Sequence, residues 1–302
     1  MLIVAHSFMS HIAVSWHHTL TRKGFPITKT YFITGASSGF GRLLTEKLLA
    51  RGDRVAATVR QEHILDDLKA QHSDRLWIAN LDLTHTDAVR GVIDRAFADL
   101  GCIDIVVSNA GYGLFGAAEE VSDEQVRHQI DTNLIGSIAV IRASLPHLRA
   151  QGGGRVLQVS SEGGQITYPG FSLYHATKWG IEGFVEAVAK EVARFGILFT
   201  LVEPGPTGTN FGAGLVRAQP MEVYEGTPVG GIRDVWAKGE FKVTGDADKM
   251  VDAMITASDS SDPPLRLTLG SIAYVSIHKA LNDRLAVLEG SKTITLSTDV
   301  DR

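Results

Sequence analysis

Apolar positions along the chain fall into two alternating kinds of run. Short stretches rich in β-branched and aliphatic residues recur at Thr30–Thr34, Arg54–Val59, Leu76–Leu81, Ile103–Ser108, Arg155–Ser160 and Ile197–Val202, with a last one at Leu265–Leu269. Several carry no polar alternation, Ile103-Asp-Ile-Val-Val among them, as expected of strands covered on both faces. Between them, helical spacing runs over Gly41–Arg51, His63–Gln71, Thr86–Leu100, Ser122–Ala150 and Phe171–Phe195. Strands alternating with helices predict an α/β fold, a doubly wound parallel sheet of about seven strands with helices on both faces. Right-handed crossovers then bring the strand C-termini to one edge, where ligands bind.

Residues 29–290 read as a single domain without internal repeats, and residues 291–302 as a tail. Residues 1–28 stand apart. They are apolar but broken by His6, His11, His17 and His18, and the first cation is Arg22. That is too short for the roughly 20 apolar residues of a membrane span and lacks a basic secretory front end, so a flexible extension is expected, with a membrane-touching anchor as the rival reading. Residues 205–245 break the rhythm: they are rich in Gly and Pro and dotted with Phe211, Leu215, Val216, Met221, Tyr224, Val229, Ile232 and Trp236. A long irregular segment following the sixth strand is expected to form a substrate lid.

Composition narrows the function. Among 302 residues, 29 Lys+Arg against 34 Asp+Glu give a net charge of −5, which excludes the basic face a nucleic-acid protein needs. The single cysteine, Cys102, forbids an intramolecular disulfide and suits a reducing cytoplasm; it reads as an inert core thiol. The 11 histidines show no metal-binding spacing, and no metal is expected.

The first strand runs into Gly35-Ala-Ser-Ser-Gly39-Phe-Gly41 and a helix. Glycines let the main chain turn tightly and approach a pyrophosphate, while the helix start offers free N–H groups and a positive dipole end. Ser37 and Ser38 can add hydroxyl donors. The second strand ends in Val59-Arg60, without the carboxylate that NAD sites place there to bind the ribose 2′-hydroxyl. A guanidinium at that point suits a 2′-phosphate, so NADP(H) is preferred and NAD(H) remains possible. The competing reading of Arg60 is a solvated surface cation, and Glu62 nearby supports it.

Ser161 follows the fifth strand, and thirteen residues later comes Tyr174-His-Ala-Thr-Lys178. In a helix, Tyr174 and Lys178 share one face, a turn apart. A tyrosine of pKa about 10 is a poor base, but a neighbouring ammonium and a nicotinamide cation favour its phenolate; a shift of about three units corresponds to about 4 kcal/mol. Tyr174 could then exchange a proton with the oxygen of a carbonyl/alcohol couple, which Ser161 would hold. Trp179, Phe184 and Val188 read as packing positions, and His175, some 100° around the helix from Tyr174, as packing or surface.

These residues resemble the short-chain dehydrogenase/reductase family of the single-domain type. The match is Thr34-Gly-Ala-Ser-Ser-Gly39-Phe-Gly41, Asp82 in Leu-Asp-Leu-Thr, Ser108-Asn109-Ala110-Gly111, Asn133 in Asp-Thr-Asn-Leu, Ser161, Tyr174-x-x-x-Lys178 and Pro204-Gly205-x-x-x-Thr209. It covers Lys29 to about Thr209 in the family's order. Two departures are mild: Ser108 stands where Asn is common, and Thr177 where Ser is common. The resemblance implies a Rossmann-like fold with Tyr174 as acid/base, Lys178 binding the nicotinamide ribose and lowering the tyrosine pKa, Ser161 polarising the carbonyl, and Asn133 supporting a proton relay. It also implies cofactor contacts from Gly35, Ser37, Ser38, Gly39, Phe40, Gly41, Arg60, Asp82, Leu83, Asn109, Ala110, Gly111, Tyr174, Lys178, Pro204, Gly205, Thr207 and Thr209. A loop cap remains the competing reading for Asp82, and a strand-end bond for Asn109. By the same analogy, the helices of Ser122–Ala150 and Phe171–Phe195 would pair subunits into a homodimer or homotetramer.

The expected activity is an NADP(H)-dependent oxidoreductase acting on a small-molecule carbonyl or alcohol. The Val202-Glu-Pro-Gly-Pro-Thr stretch is similar to the steroid- and retinoid-handling branch, which with the apolar lid suggests a lipophilic substrate. The rival is a non-catalytic NADP-binding sensor, which would bind cofactor without turnover. No nucleic acid and no integral membrane segment are expected.

Overall fold

The structure is a computed structural model that describes residues 28–300, so the expectation for residues 1–28 lies, but for Thr28, outside the described residues. The first half comprises β1 (Thr30–Thr34), α1 (Gly39–Arg51), β2 (Arg54–Val59), α2 (Asp66–Gln71), β3 (Leu76–Asn80), α3 (Thr86–Leu100), β4 (Ile105–Ser108), β5 (Leu114–Phe115), α4 (Asp123–Ile130) and α5 (Gly136–Ala150). The second half comprises β6 (Gly154–Val159), α6 (Ser172–Val192), β7 (Ile197–Pro204), β8 (Val216–Arg217), α7 (Pro228–Ala237), α8 (Ala247–Asp259), β9 (Arg266–Leu269), α9 (Ser271–Gly290) and α10 (Lys292–Leu296). Seven parallel strands form one sheet in the order β3-β2-β1-β4-β6-β7-β9. Chain direction across the sheet reverses between β1 and β4, which opens a crevice at their C-terminal ends.

The alternation of side chains along each strand builds two cores. Phe32, Ala56, Val106, Val156 and Leu201 face α3, α5 and α6, where Val89, Ile93, Ile141, Ile181 and Val185 are buried. Tyr31, Ile33, Val55, Ala57, Ile105 and Val107 face the other way, onto Leu44 and Leu48 of α1 and Val251 and Met254 of α8. Both faces of the sheet are thus covered, which is why its strands read as unbroken apolar runs.

Several elements differ from the sequence reading. The Ser122–Ala150 pattern does start with a capping box, Ser122 with Gln125, but the coil widens to a π-helical turn over Asp131–Ile135 before α5. Residues 205–245 are not wholly irregular: β8 pairs with β5, and α7 is capped by Thr227 with Pro228 in its first turn. Gly230 and Gly231 weakened the helical signal there. Helices α8, α9 and α10 add to the helices that the sequence pattern predicts, and α10 lies within the expected tail. Two side chains sit otherwise than expected: Cys102 is exposed rather than in the core, and Trp179 is exposed at the surface of α6, with Arg284 over its ring. No helix among the described residues is long and apolar enough to cross a membrane.

Candidate active site

The crevice between β1 and β4 is shaped by close main-chain approach. Gly35 has φ 70°, and a Cβ there would stand 2.9 Å from Ala110 Cα; at Gly41 a Cβ would collide with the Gly35 carbonyl oxygen and the Asn109 amide. Only glycine suits either position. Ser38 precedes α1 in extended backbone and its side chain makes no cap, so the first N–H groups of the helix stay available. Asn109 spans the crevice: its Nδ2 donates to the carbonyls of Thr34 at 2.9 Å and Gly35 at 3.3 Å, while Thr34 Oγ1 accepts from the N–H groups of Asn109 and Ala110. These are strand-end bonds that set the walls of the crevice.

Exposed Arg60 lies at the tip of β2, where it lines a surface recess with Ser37 and Gln61. Beyond the next strand, Asp82 Oδ1 accepts from the Thr84 N–H at 2.9 Å and its hydroxyl at 2.8 Å. Burial works to raise the Asp82 pKa, but these bonds, with His85 and Arg60 nearby, outweigh it and hold the carboxyl below its ordinary range. Leu83 is buried in the core, so its side chain is not free for a ligand; Phe40 is partly buried against the second core. At the far end, Gly205 N–H donates to Leu269 O, and the Thr207 hydroxyl donates to Gly205 O at 2.7 Å, fixing the turn after Pro204. Thr209 Oγ1 accepts from Phe211 N–H at 3.3 Å, and its Cβ lies 3.7 Å from where a Gly39 Cβ would be.

The π-helical turn carries Asn133, whose side chain is buried. Both ends of its amide are engaged by Tyr112: Nδ2 donates to Tyr112 O at 2.8 Å, and Oδ1 accepts from Tyr112 N–H at 3.1 Å. As placed, it anchors the loop that leaves Gly111. π-turns inside helices recur at functional sites.

Ser161, Tyr174 and Lys178 are all buried, Ser161 just beyond β6 and the other two on one face of α6. Lys178 Nζ donates to Val159 O at 3.0 Å and lies 5.6 Å from the Tyr174 ring centroid. Burial pulls the Lys178 ammonium down to about 8, against the opposing pull of Glu182. The phenol moves opposite to the sequence argument. Burial pushes Tyr174 up to about 12, and although the Ser161 hydroxyl lowers it, Glu162 and Glu182 add to the rise. The protein's own groups therefore keep the phenol protonated at neutral pH, which suits an acid.

Around the phenol stands a wall of rings that the motifs did not mark. Phe171 and Phe211 lie 6.1 and 5.8 Å from Tyr174 between centroids, and Trp236 packs edge-on against Phe115 at 4.5 Å. Leu215 and Val229 of the 205–245 segment complete this third core. The segment is tied down by Glu120, whose side chain is wholly buried. It accepts from Ala117 N–H at 2.7 Å and Met221 N–H at 2.8 Å and pairs with Arg233. His175, beside the tyrosine, is a buried clamp: Nε2 accepts from Tyr168 N–H at 3.0 Å and Nδ1 donates to Gly163 O at 2.8 Å, fixing the loop after Ser161.

Comparison with known proteins places this geometry. Residues 29–220 match the family model described as short chain dehydrogenase. Oxidoreductase BOA17 of Botryotinia fuckeliana is 35% identical over 256 residues, 84% of this chain and 93% of that protein. The solved structure of a short-chain dehydrogenase from Streptomyces avermitilis is 37% identical with a TM-score of 0.83, covering 90% of this chain and 99% of that one. An alcohol dehydrogenase from Thermococcus sibiricus, complexed with 5-hydroxy-NADP, is 25% identical with a TM-score of 0.66 over 82% of this chain and 97% of that one. The crevice, the serine and the tyrosine–lysine pair therefore belong to a chain of the short-chain dehydrogenase family, the NAD(P)-dependent oxidoreductases.

Proposed function

We propose that the protein is an NADP(H)-dependent reductase of a lipophilic ketone or aldehyde, with Tyr174 as the acid, Ser161 as the group that orients the substrate oxygen and Lys178 as the cation beside them. The observation that carries this reading is the convergence of Ser161, Tyr174 and Lys178 in a buried, ring-lined site where the phenol keeps its proton.

The residues at the crevice fit a dinucleotide. The approach of Gly41 to Gly35 leaves no room for a side chain, the start of α1 offers N–H groups to a pyrophosphate, and Arg60 with Ser37 offers charge and a hydroxyl to a 2′-phosphate. Asp82 has one oxygen occupied by Thr84 and, among the described residues, no hydrogen bond to the other, which suits an adenine amino group. Bound there, the cofactor supplies the reducing equivalent. The protein supplies the rest. Ser161 holds the carbonyl oxygen, and Tyr174 Oη delivers a proton to it as it gains negative charge. Lys178 places its positive charge beside the phenol and steadies the phenolate left behind. The aromatic wall excludes water and selects apolar substrates. Asn133 holds the Tyr112 loop against this site, and a proton path from it toward Lys178 would resupply Tyr174. The same reading includes pairing of two or four copies through the α4–α5 and α6 faces, and a cytoplasmic location.

The test is NADPH consumption, followed by absorbance, with a panel of apolar ketones and aldehydes and NADH alongside. Turnover with NADPH is expected. Its kcat/KM should fall as pH rises through about 8, because Lys178 loses its charge there while Tyr174 keeps its proton. Cofactor binding without turnover of any substrate would instead identify the sensor.

A further inference from the structure

Behind the reacting groups lies a second buried cluster that the chemistry above does not use. Glu182 continues the Tyr174–Lys178 stripe by one more turn of α6, and its side chain is 3% exposed. Its Oε1 accepts from Ser160 Oγ at 2.5 Å, and its Oε2 accepts from Arg266 Nη1 at 2.7 Å. Arg266, on β9, also pairs with Glu203 at the end of β7 and with Glu186 on α6. A Cβ at Gly164 would collide with Glu182 Oε1, so the carboxylate is lodged beneath the turn that follows Ser161. The end of β6 is consequently gripped at successive residues, Val159 by Lys178 and Ser160 by Glu182.

We propose that Glu182 is a positioning residue for the reaction: held by Ser160 and Arg266, its carboxylate keeps Lys178 charged and seats the Ser160–Ser161 strand end against the helix face that bears Tyr174. The inference rests on the reading of Lys178 as the cation beside the acid.

The charge balance of the cluster supports it. A buried ammonium without a counter-charge is costly. Lys178 shares the α6 face with Tyr174 and Glu182; Glu162, after β6, acts on Tyr174, while Glu203 on β7 and Arg266 on β9 act on Glu182. Glu162 accepts from the Ser276 hydroxyl at 2.8 Å, and Glu203 is taken up by Arg266, Gln165 and Thr268. Glu182 and Glu203, both buried, thus share Arg266, and Glu182 also stands one helical turn from Lys178. Of these groups it is Glu182 that opposes the downward pull of burial on Lys178. Burial, with Glu203 nearby, holds the Glu182 carboxyl above its ordinary range, and the bonds from Ser160 and Arg266 are what pull it back toward its charged form.

The test is an NMR titration of the Lys178 side chain in the full chain, without cofactor or substrate, its signal assigned by Lys178→Arg. The wild-type midpoint is expected at about 8. In Glu182→Gln it should move down by about one pH unit, with the circular dichroism spectrum unchanged. A downward shift separates the charge from packing, because looser packing hydrates the ammonium and moves its midpoint up; an unmoved midpoint in a folded Glu182→Gln would overturn the proposal. Should that variant not fold, Ser160→Ala decides. Weaker support for the charged carboxylate should move the midpoint the same way by less, and no movement contradicts the proposal. Because the titration needs no turnover, failure of the Tyr174 assignment would show in activity and leave this result intact.

Discussion

The glycine-lined crevice between β1 and β4 and the aromatic cluster around Tyr174 are held in shape by different physics. In the crevice the main chain itself sets the shape: Gly35 and Gly41 are fixed by backbone sterics, and Asn109 by bonds to strand-end carbonyls. In the aromatic cluster, side chains from distant segments define the shape, Phe115 against Phe171 and Trp236, with Glu120 fastened to Arg233, 113 residues away. Demands of the first kind leave a local residue signature. Demands of the second kind are met by many combinations and leave almost none.

That contrast is broken or sharpened by substitutions on either side. The largest effect on the fold should come from Glu120→Ala, which strips a buried acceptor from two N–H groups and a guanidinium. We expect a loss of about 3 kcal/mol, read as a thermal midpoint lower by roughly 6–12 °C, together with a higher KM for bulky substrates and an unchanged KM for NADPH. A higher KM for NADPH instead would mean that the two halves are not independent. Gly41→Ala is the mirror case. Its Cβ meets backbone that cannot retreat, so cofactor affinity should fall about thirtyfold, a cost of about 2 kcal/mol, with substrate selectivity retained. Fluorescence titration with NADPH measures it. Arg60→Ala is smaller, because the guanidinium is exposed: NADPH affinity should drop about tenfold and NADH hardly change. Equal losses with both cofactors would remove the basis for preferring NADP(H).

The fold was legible in the sequence because strands covered on both faces show as unbroken apolar runs, and because Gly35, Asp82, Asn109 and the tyrosine–lysine pair occur in a fixed order. Ser161, Tyr174 and Lys178, proposed above to carry the chemistry, lie together. What was not legible depends on three-dimensional context. The direction of the Tyr174 shift is set by burial and by Glu162 and Glu182, whose proximity no spacing rule marks. The engagement of Asn133 by Tyr112 needs the π-turn, and one extra residue per turn has no composition signal. Helix α7 was obscured by Gly230-Gly231, although Thr227-Pro228 is a start signal that could have found it.

The reading of Tyr174 as the acid is tested most directly by Tyr174→Phe, which removes one hydroxyl from a ring already packed among other rings. NADPH should still bind within about twofold of wild type, while kcat for carbonyl reduction falls by about 10²–10⁴. A variant that binds NADPH and reduces the carbonyl at close to the wild-type rate would contradict the account.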